Sequence, residues 1–138
     1  MTGLVLDSSI LVRAERGKRT VLDVIAEVQA AVGDVPVAVC SITLAELGHG
    51  MYRAVTAERA SQRREFLDAV KRNIPIHPVT EATAEIIARI GGVQASQGVN
   101  LPLADLIIGC SALELGYAVA THNLRDFVRI PGLEVRQL

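Results

Sequence analysis

With 138 residues and no internal shift in composition, the chain has the length of a single α/β-sized domain, residues 1–138, with room for a real core. Half of its residues are apolar but only 3% are aromatic, so the core must be aliphatic and helix-rich; a net charge of −1 excludes a grossly basic nucleic-acid binder while leaving room for a local basic surface. No apolar run approaches a membrane span, the N-terminus lacks the pattern of a signal peptide, and Cys40 and Cys110, each inside an apolar run, read as reduced core residues of a cytoplasmic protein.

Gly3 to Leu6 reads as a short buried strand that stops at Asp7. Asp7-Ser8-Ser9 then leads into Ile10, Leu11 and Val12, a short helix. Asp7 has two readings. It can cap that helix, since Asp accepts bonds from free backbone N–H groups, or it can be a carboxylate held at the end of a central strand beside an orienting hydroxyl. Arg13 to Arg19 reads as a charged loop around Gly17, followed by a helix with Val21, Val24, Ile25, Val28 and Val32 on one face. Gly33-Asp34 turns the chain into a second buried strand, Pro36 to Cys40. Strand, helix and strand in succession imply parallel pairing.

The next helix opens at Ser41-Ile42-Thr43, where Thr43 and Glu46 have capping-box spacing. Glu46 is also a second acid just beyond the carboxyl end of a parallel strand, and both readings stand. Leu44, Leu47, Gly48, Met51 and Val55 mark the buried face. Thr56 to Arg72 is a charged helix anchored by Phe66, Leu67 and Val70. Arg53, Arg59, Arg63, Arg64, Lys71 and Arg72 crowd this region, either as a solvated surface or as a rim for phosphates or an acidic partner. Ile74 to Val79 holds two prolines and can only be a short edge strand, with His77 structural. Thr80 to Gln97 is a helix facing inward through Thr83, Ile86, Ile87, Ile90 and Val93. Gly91-Gly92 within it costs about 1 kcal/mol per glycine, so either the helix breaks there or a neighbour packs too closely for side chains.

The stretch Pro102 to Phe127 carries the densest signal. Pro102 suits a first helical position, and Leu103, Leu106, Ile107, Cys110 and Leu113 recur at helical spacing until Gly116 ends the helix. Asp105 lies in the first turn. Tyr117 to Ala120 is then an apolar strand that delivers Thr121-His122-Asn123, followed by Asp126. Pro131-Gly132 turns into an alternating edge strand, Leu133 to Arg136.

The architecture expected is α/β, with helices around a small, mostly parallel sheet whose carboxyl edge binds ligands. Asp7, Glu46 and Asp105 each sit at a strand end or in a first helical turn, and Asn123 and Asp126 offer a fourth such position. Carboxylates gathered this closely repel, and helix N-termini relieve only part of that. A hard divalent cation, Mg²⁺ or Mn²⁺, relieves far more, and hydrolysis of a phosphodiester is the chemistry it suits. A dinucleotide-binding or P-loop glycine pattern is absent, and Asp7-Ser8-Ser9 lacks the Asp-x-Asp of aspartyl phosphatases.

These residues resemble the PIN-domain ribonucleases, and within them the VapC toxins of bacterial toxin–antitoxin modules. The resemblance is carried by LVLDSSILV, SITLAELGHG, PLADLIIGCSAL and VATHNLRDFVRIPGLEV, in that order along nearly the whole chain. It implies a PIN-like domain with a parallel sheet of about five strands wrapped by helices, a Mg²⁺- or Mn²⁺-dependent endoribonuclease, an RNA substrate, a VapB-like antitoxin and a homodimer. It also implies that Asp7, Glu46 and Asp105 hold the metal, directly or through waters, with Glu46 a candidate to take a proton from the attacking water. The fourth family site is Asn123 here, with Asp126 three residues on as its companion. Ser8-Ser9 replaces the commoner Thr-Asn or Thr-Ser, keeping a hydroxyl at Ser8, and Thr43 and Thr121 resemble the family's polar supports. Arg13 and Arg125 are candidates for phosphate contacts, and His122 either touches substrate or is a surface residue. Leu11, Val12, Leu47 and Met51 either form a groove for the antitoxin's helix or are core. The alternative function is a catalytically silent PIN-like interaction module.

Overall fold

Strand β1 (Leu4–Leu6) runs through the middle of the molecule with every residue buried. The computed structural model describes all of residues 1–138. After β1 come α1 (Ser8–Arg16), α2 (Val21–Val32), β2 (Val37–Cys40), α3 (Ser41–Tyr52), α4 (Ala57–Asn73) and β3 (Ile76–His77). The chain continues through α5 (Glu81–Ser96), α6 (Leu103–Leu115), β4 (Ala118–Thr121), α7 (Leu124–Phe127) and β5 (Val135–Gln137). The five strands form one sheet in the order β3-β2-β1-β4-β5, and every neighbouring pair is parallel. Leu4 stands in register with Val37 on one side and Ala118 on the other. Because all strands run the same way, all their carboxyl ends open onto one edge.

Alternation along β1 divides the core. Leu4 and Leu6 face one apolar cluster with Leu11, Val24, Leu47 and Val70, while Val5 faces a second with Ile90, Ile108, Phe127 and Ile130. Both faces of the sheet are therefore covered, as a parallel sheet requires. Leu11 and Leu47 are fully buried and Met51 is 6% exposed, so these residues are core rather than an open groove. Cys40 and Cys110 are buried free thiols, and no helix is long and apolar enough to cross a membrane.

Several local expectations shift. Helix α1 continues to Arg16, absorbing half of the predicted loop, because Ile10, Leu11 and Ala14 give it a buried stripe. Strand β2 passes directly into α3 with Cys40 at the N-cap, two residues earlier than a Thr43 cap needs. No Thr43–Glu46 capping box forms; Thr43 is buried in the first turn and its hydroxyl has no partner. Capping boxes form instead at Thr20–Asp23 and Thr80–Thr83. Val55 lies beyond α3 and is 96% exposed. Pro102 is the N-cap of α6 rather than its first residue, and Leu103 turns outward, so burial falls on Leu106, Ile108 and Cys110. Gly116 ends that helix at φ 72, a left-handed conformation that favours glycine.

Helix α5 runs unbroken through Gly91-Gly92. A Cβ at position 91 would lie 2.7 Å from Leu106 Cδ2, whereas one at position 92 would meet nothing within 4 Å. Close packing against α6 thus explains Gly91 but not Gly92. Gly92→Ala should stabilise the protein by about 1 kcal/mol through helix propensity alone. Gly91→Ala should fall short of that by about 1–3 kcal/mol, the cost of overpacking. Urea unfolding of the two variants side by side measures the difference.

Candidate active site

The carboxyl edge of the sheet is where β1 ends at Asp7 and β4 ends at Thr121. Asp7 donates its backbone N–H to Ala120 O (2.9 Å), which extends the β1–β4 ladder by one step and fixes the residue. Its side chain is 5% exposed. Asp7 occupies the N-cap position of α1, yet its carboxylate makes no capping bond. Oδ2 instead accepts from Ser9 Oγ (2.7 Å) and Thr121 Oγ1 (2.9 Å). Those hydroxyls are anchored in turn, because His122 N donates to Ser9 Oγ (3.2 Å) and Asn123 N donates to Thr121 Oγ1 (2.9 Å). The strand-end reading of Asp7 holds and the capping reading does not. Ser9, rather than Ser8, is the hydroxyl that orients it.

Three further acids gather around this point. Glu46 projects from α3 with an exposed side chain, and its carboxyl is held above the usual range by lost hydration and by the negative charge of Asp7, partly offset by the Ser8 hydroxyl. Asp105, in the first turn of α6, is pushed up to about 6. Lost hydration is the main cause, followed by the charges of Asp7, Asp126 and Glu46. Asp126 in α7 has one cationic neighbour, Arg129, at 3.4 Å. The structure therefore brings Asp7, Glu46, Asp105 and Asp126 into one electrostatic neighbourhood. Asn123 sits at the same edge, exposed, with no capping bond from its side chain. His122 turns its Nδ1 to Leu138 O, away from the acids, and Arg13 and Arg125 are exposed.

No three His, Cys, Asp or Glu side chains stand together as a ready-made metal cage. The donor set is nonetheless all oxygen, and like charges raise two of its members without a nearby cation among the causes. That chemistry fits a hard divalent ion that keeps part of its water shell. Sequence reasoning gave Ser9 no specific task and linked Thr121 to the fourth position rather than to Asp7. The available signal was spacing: Ser9 lies two residues after the acid, and Thr121 is the last residue of the adjoining strand.

A family profile described as the PIN domain matches residues 4–133. The chain is also 30% identical over 133 residues to the protein named Ribonuclease VapC from Rickettsia bellii, an overlap covering 96% of this chain and 94% of that one. The chain belongs to the VapC group of the PIN-domain family. This PIN domain is likewise 31% identical to Ribonuclease VapC1 from Rickettsia felis, over the same shares. Among solved structures, VapBC2 from Rickettsia felis, bound to a DNA fragment from its promoter, matches the PIN domain with a TM-score of 0.84 at 20% identity, covering 99% of this chain and 98% of that one. VapBC-5 from Mycobacterium tuberculosis, a member of the VapBC family of toxin–antitoxin systems, matches with a TM-score of 0.74 at 28% identity, covering 100% and 98%. The five-stranded parallel α/β fold is thus shared with VapC structures.

The raised Asp105 pKa has a signed consequence for stability. Between the unfolded value of 3.8 and the folded value of about 6, the folded protein keeps a proton that the unfolded chain has lost. Stability from this group therefore falls as pH rises through that window and stays low above it. In EDTA, Asp105→Asn should gain thermal midpoint over wild type as pH is raised from 4 to 6.5, roughly the window of this titration. A difference that stays constant across that range would show that the acids do not burden Asp105.

Proposed function

We propose that this chain is a metal-dependent endoribonuclease, residues 1–138 forming one PIN-like domain, and that it serves as the toxin of a toxin–antitoxin pair. The observation that carries this reading is the burdened carboxylate cluster at the carboxyl edge, in a chain of the VapC group. Asp7, Glu46 and Asp105 would hold the cation, Mg²⁺ or Mn²⁺, directly or through waters. When bound, it supplies the positive charge that polarises a phosphodiester and makes an attacking water more acidic. Asp7 is kept in one orientation by Ser9 and Thr121. Glu46, exposed and with its carboxyl raised toward neutrality, is suited to accept a proton from that water. Asp126 and Asn123 would orient a water or a second cation at the same edge.

RNA as substrate is supported by the ribonuclease name of the relatives, and a VapB-like antitoxin by the VapBC complexes among the structural matches. A homodimer belongs to the same reading. A catalytically silent module is less well supported, since a cluster that costs the fold stability has no evident use without a cation.

The test is cleavage of a panel of structured and unpaired RNAs in Mg²⁺, Mn²⁺ and EDTA. Cuts should appear with metal only and vanish in Asp7→Asn, while Glu46→Gln should lose about 10²–10⁴-fold in rate if it handles the proton. Mg²⁺ should also raise the thermal midpoint of the wild type, and do so less in Asp7→Asn and Asp105→Asn. Equal Mg²⁺ responses in all three proteins would remove the shared site.

A further inference from the structure

Beside the acid cluster lies a cleft of about 1320 Å³ whose lining includes Ser8 and Glu46, so that it opens onto the same edge. Pockets for small molecules run to about 300–1,000 Å³, and this one is larger and open. Its lining also carries Arg16, Lys18, Arg19, Arg53, Arg59 and Arg63. Two of these are neutralised: Arg63 Nε donates to both Glu15 oxygens (2.6 and 2.8 Å), and Arg19 pairs with Glu27. Arg16, Lys18, Arg53 and Arg59 are exposed and make no ion pair. Apart from Glu15 and Glu46, the only acid in the lining is Glu65. A chain with net charge −1 has thus gathered unpaired cations along one cleft.

Two local features add to this. Lys18 holds φ 59, the sole non-glycine residue with a left-handed backbone, and its side chain lines the cleft in spite of that strain. Tyr52, next to Arg53, is 81% exposed in a chain with only four Tyr and Phe residues in all.

We propose that this cleft is the track for a single-stranded RNA backbone. Phosphates lie against Arg16, Lys18, Arg53 and Arg59, a base stacks on Tyr52, and the strand reaches the acid cluster past Ser8 and Glu46. The inference rests on the ribonuclease reading and adds the substrate's form: an unpaired stretch flanking the scissile bond. Complementary charge and continuity with the acid edge select RNA, and the exposed aromatic ring suits a base. An acidic protein segment would use the cations but not the ring.

The test compares Arg53→Ala/Arg59→Ala with Arg64→Ala/Lys71→Ala, which removes equal charge from α4 outside the cleft. The probe is a labelled mixed-sequence RNA of roughly 12 nucleotides, within single-strand site sizes, titrated in EDTA across a salt series. The cleft variant should weaken binding about tenfold and lower the log K against log salt slope by about 0.7 per lost contact. The control should stay within about twofold of wild type, because screened distant charges contribute little. Tyr52→Leu should weaken RNA binding but leave binding of a glutamate-rich peptide unchanged. Under turnover, the cleft variant should raise KM and keep kcat.

Equal losses in both double variants, or no measurable RNA binding by the wild type, would overturn the track. Tighter binding of the peptide than of RNA, lost in the cleft variant, would also overturn it and assign the cleft to a protein partner. Failure of the two readings is distinguishable. Cleft-dependent RNA binding without cleavage would sink the nuclease and keep the track, whereas cleavage indifferent to Arg53 and Arg59 would do the reverse.

Discussion

Mutual repulsion among the carboxylates at the sheet's carboxyl edge is the constraint around which the molecule is arranged. Asp105 feels Asp7, Asp126 and Glu46 together, and Arg129, at 3.4 Å from Asp126, is the one cation paired within the group. Such a cluster persists only because the surrounding fold dictates it. The acids arrive from β1, α3, α6 and α7, elements held by two aliphatic cores on either face of the sheet. The burial of both faces is what overrides the local electrostatics. Asp7 is the most tightly fixed member, since two hydroxyls donate to one of its oxygens.

The positive side of the molecule is equally organised. Arg63 reaches across from α4 to Glu15 on α1 and donates as well to Leu47 O on α3 (3.3 Å). One guanidinium, using its planar fork of donors, therefore ties three helices together. It leaves the neighbouring cations of the cleft without partners inside the protein. The separation of the two signs over short distances explains how a chain with almost no net charge can suit both a cation and an anionic polymer.

The fold was legible in the sequence wherever periodicity and punctuation agreed. The β1, β2 and β4 runs are short, apolar and bounded by turn residues or acids, and Gly116 ends α6 as expected. What failed was local register at helix starts. A capping signature at Thr43 and Glu46 was overridden because β2 enters α3 without an intervening loop, and Leu103 lost its place in the core to residues one turn on. Neither is decided by local spacing, since both depend on how a helix meets the sheet. The gathering of Asp7, Glu46, Asp105 and Asp126 was legible because each stands at a strand end or in a first helical turn, and a parallel sheet puts all such positions on one side. The pairing of Ser9 and Thr121 with Asp7 was not, because it depends on β4 lying beside β1. Nor was the sorting of the basic residues, where only Arg53, Arg59 and Arg63 of the crowded set line the cleft.

The placement of β1 between β2 and β4 also bears on when the site can come into being during synthesis. Thr121 donates to Asp7 across 114 positions of sequence. A growing chain that has emerged as far as α5 possesses the first two acids but lacks Asp105, the strand that flanks β1 and the hydroxyl that steadies Asp7. Contacts of such long range form late, since the loop they close must be ordered first. A protein built this way is inert as a nascent fragment, and its acid cluster assembles in one step when the final third of the chain docks.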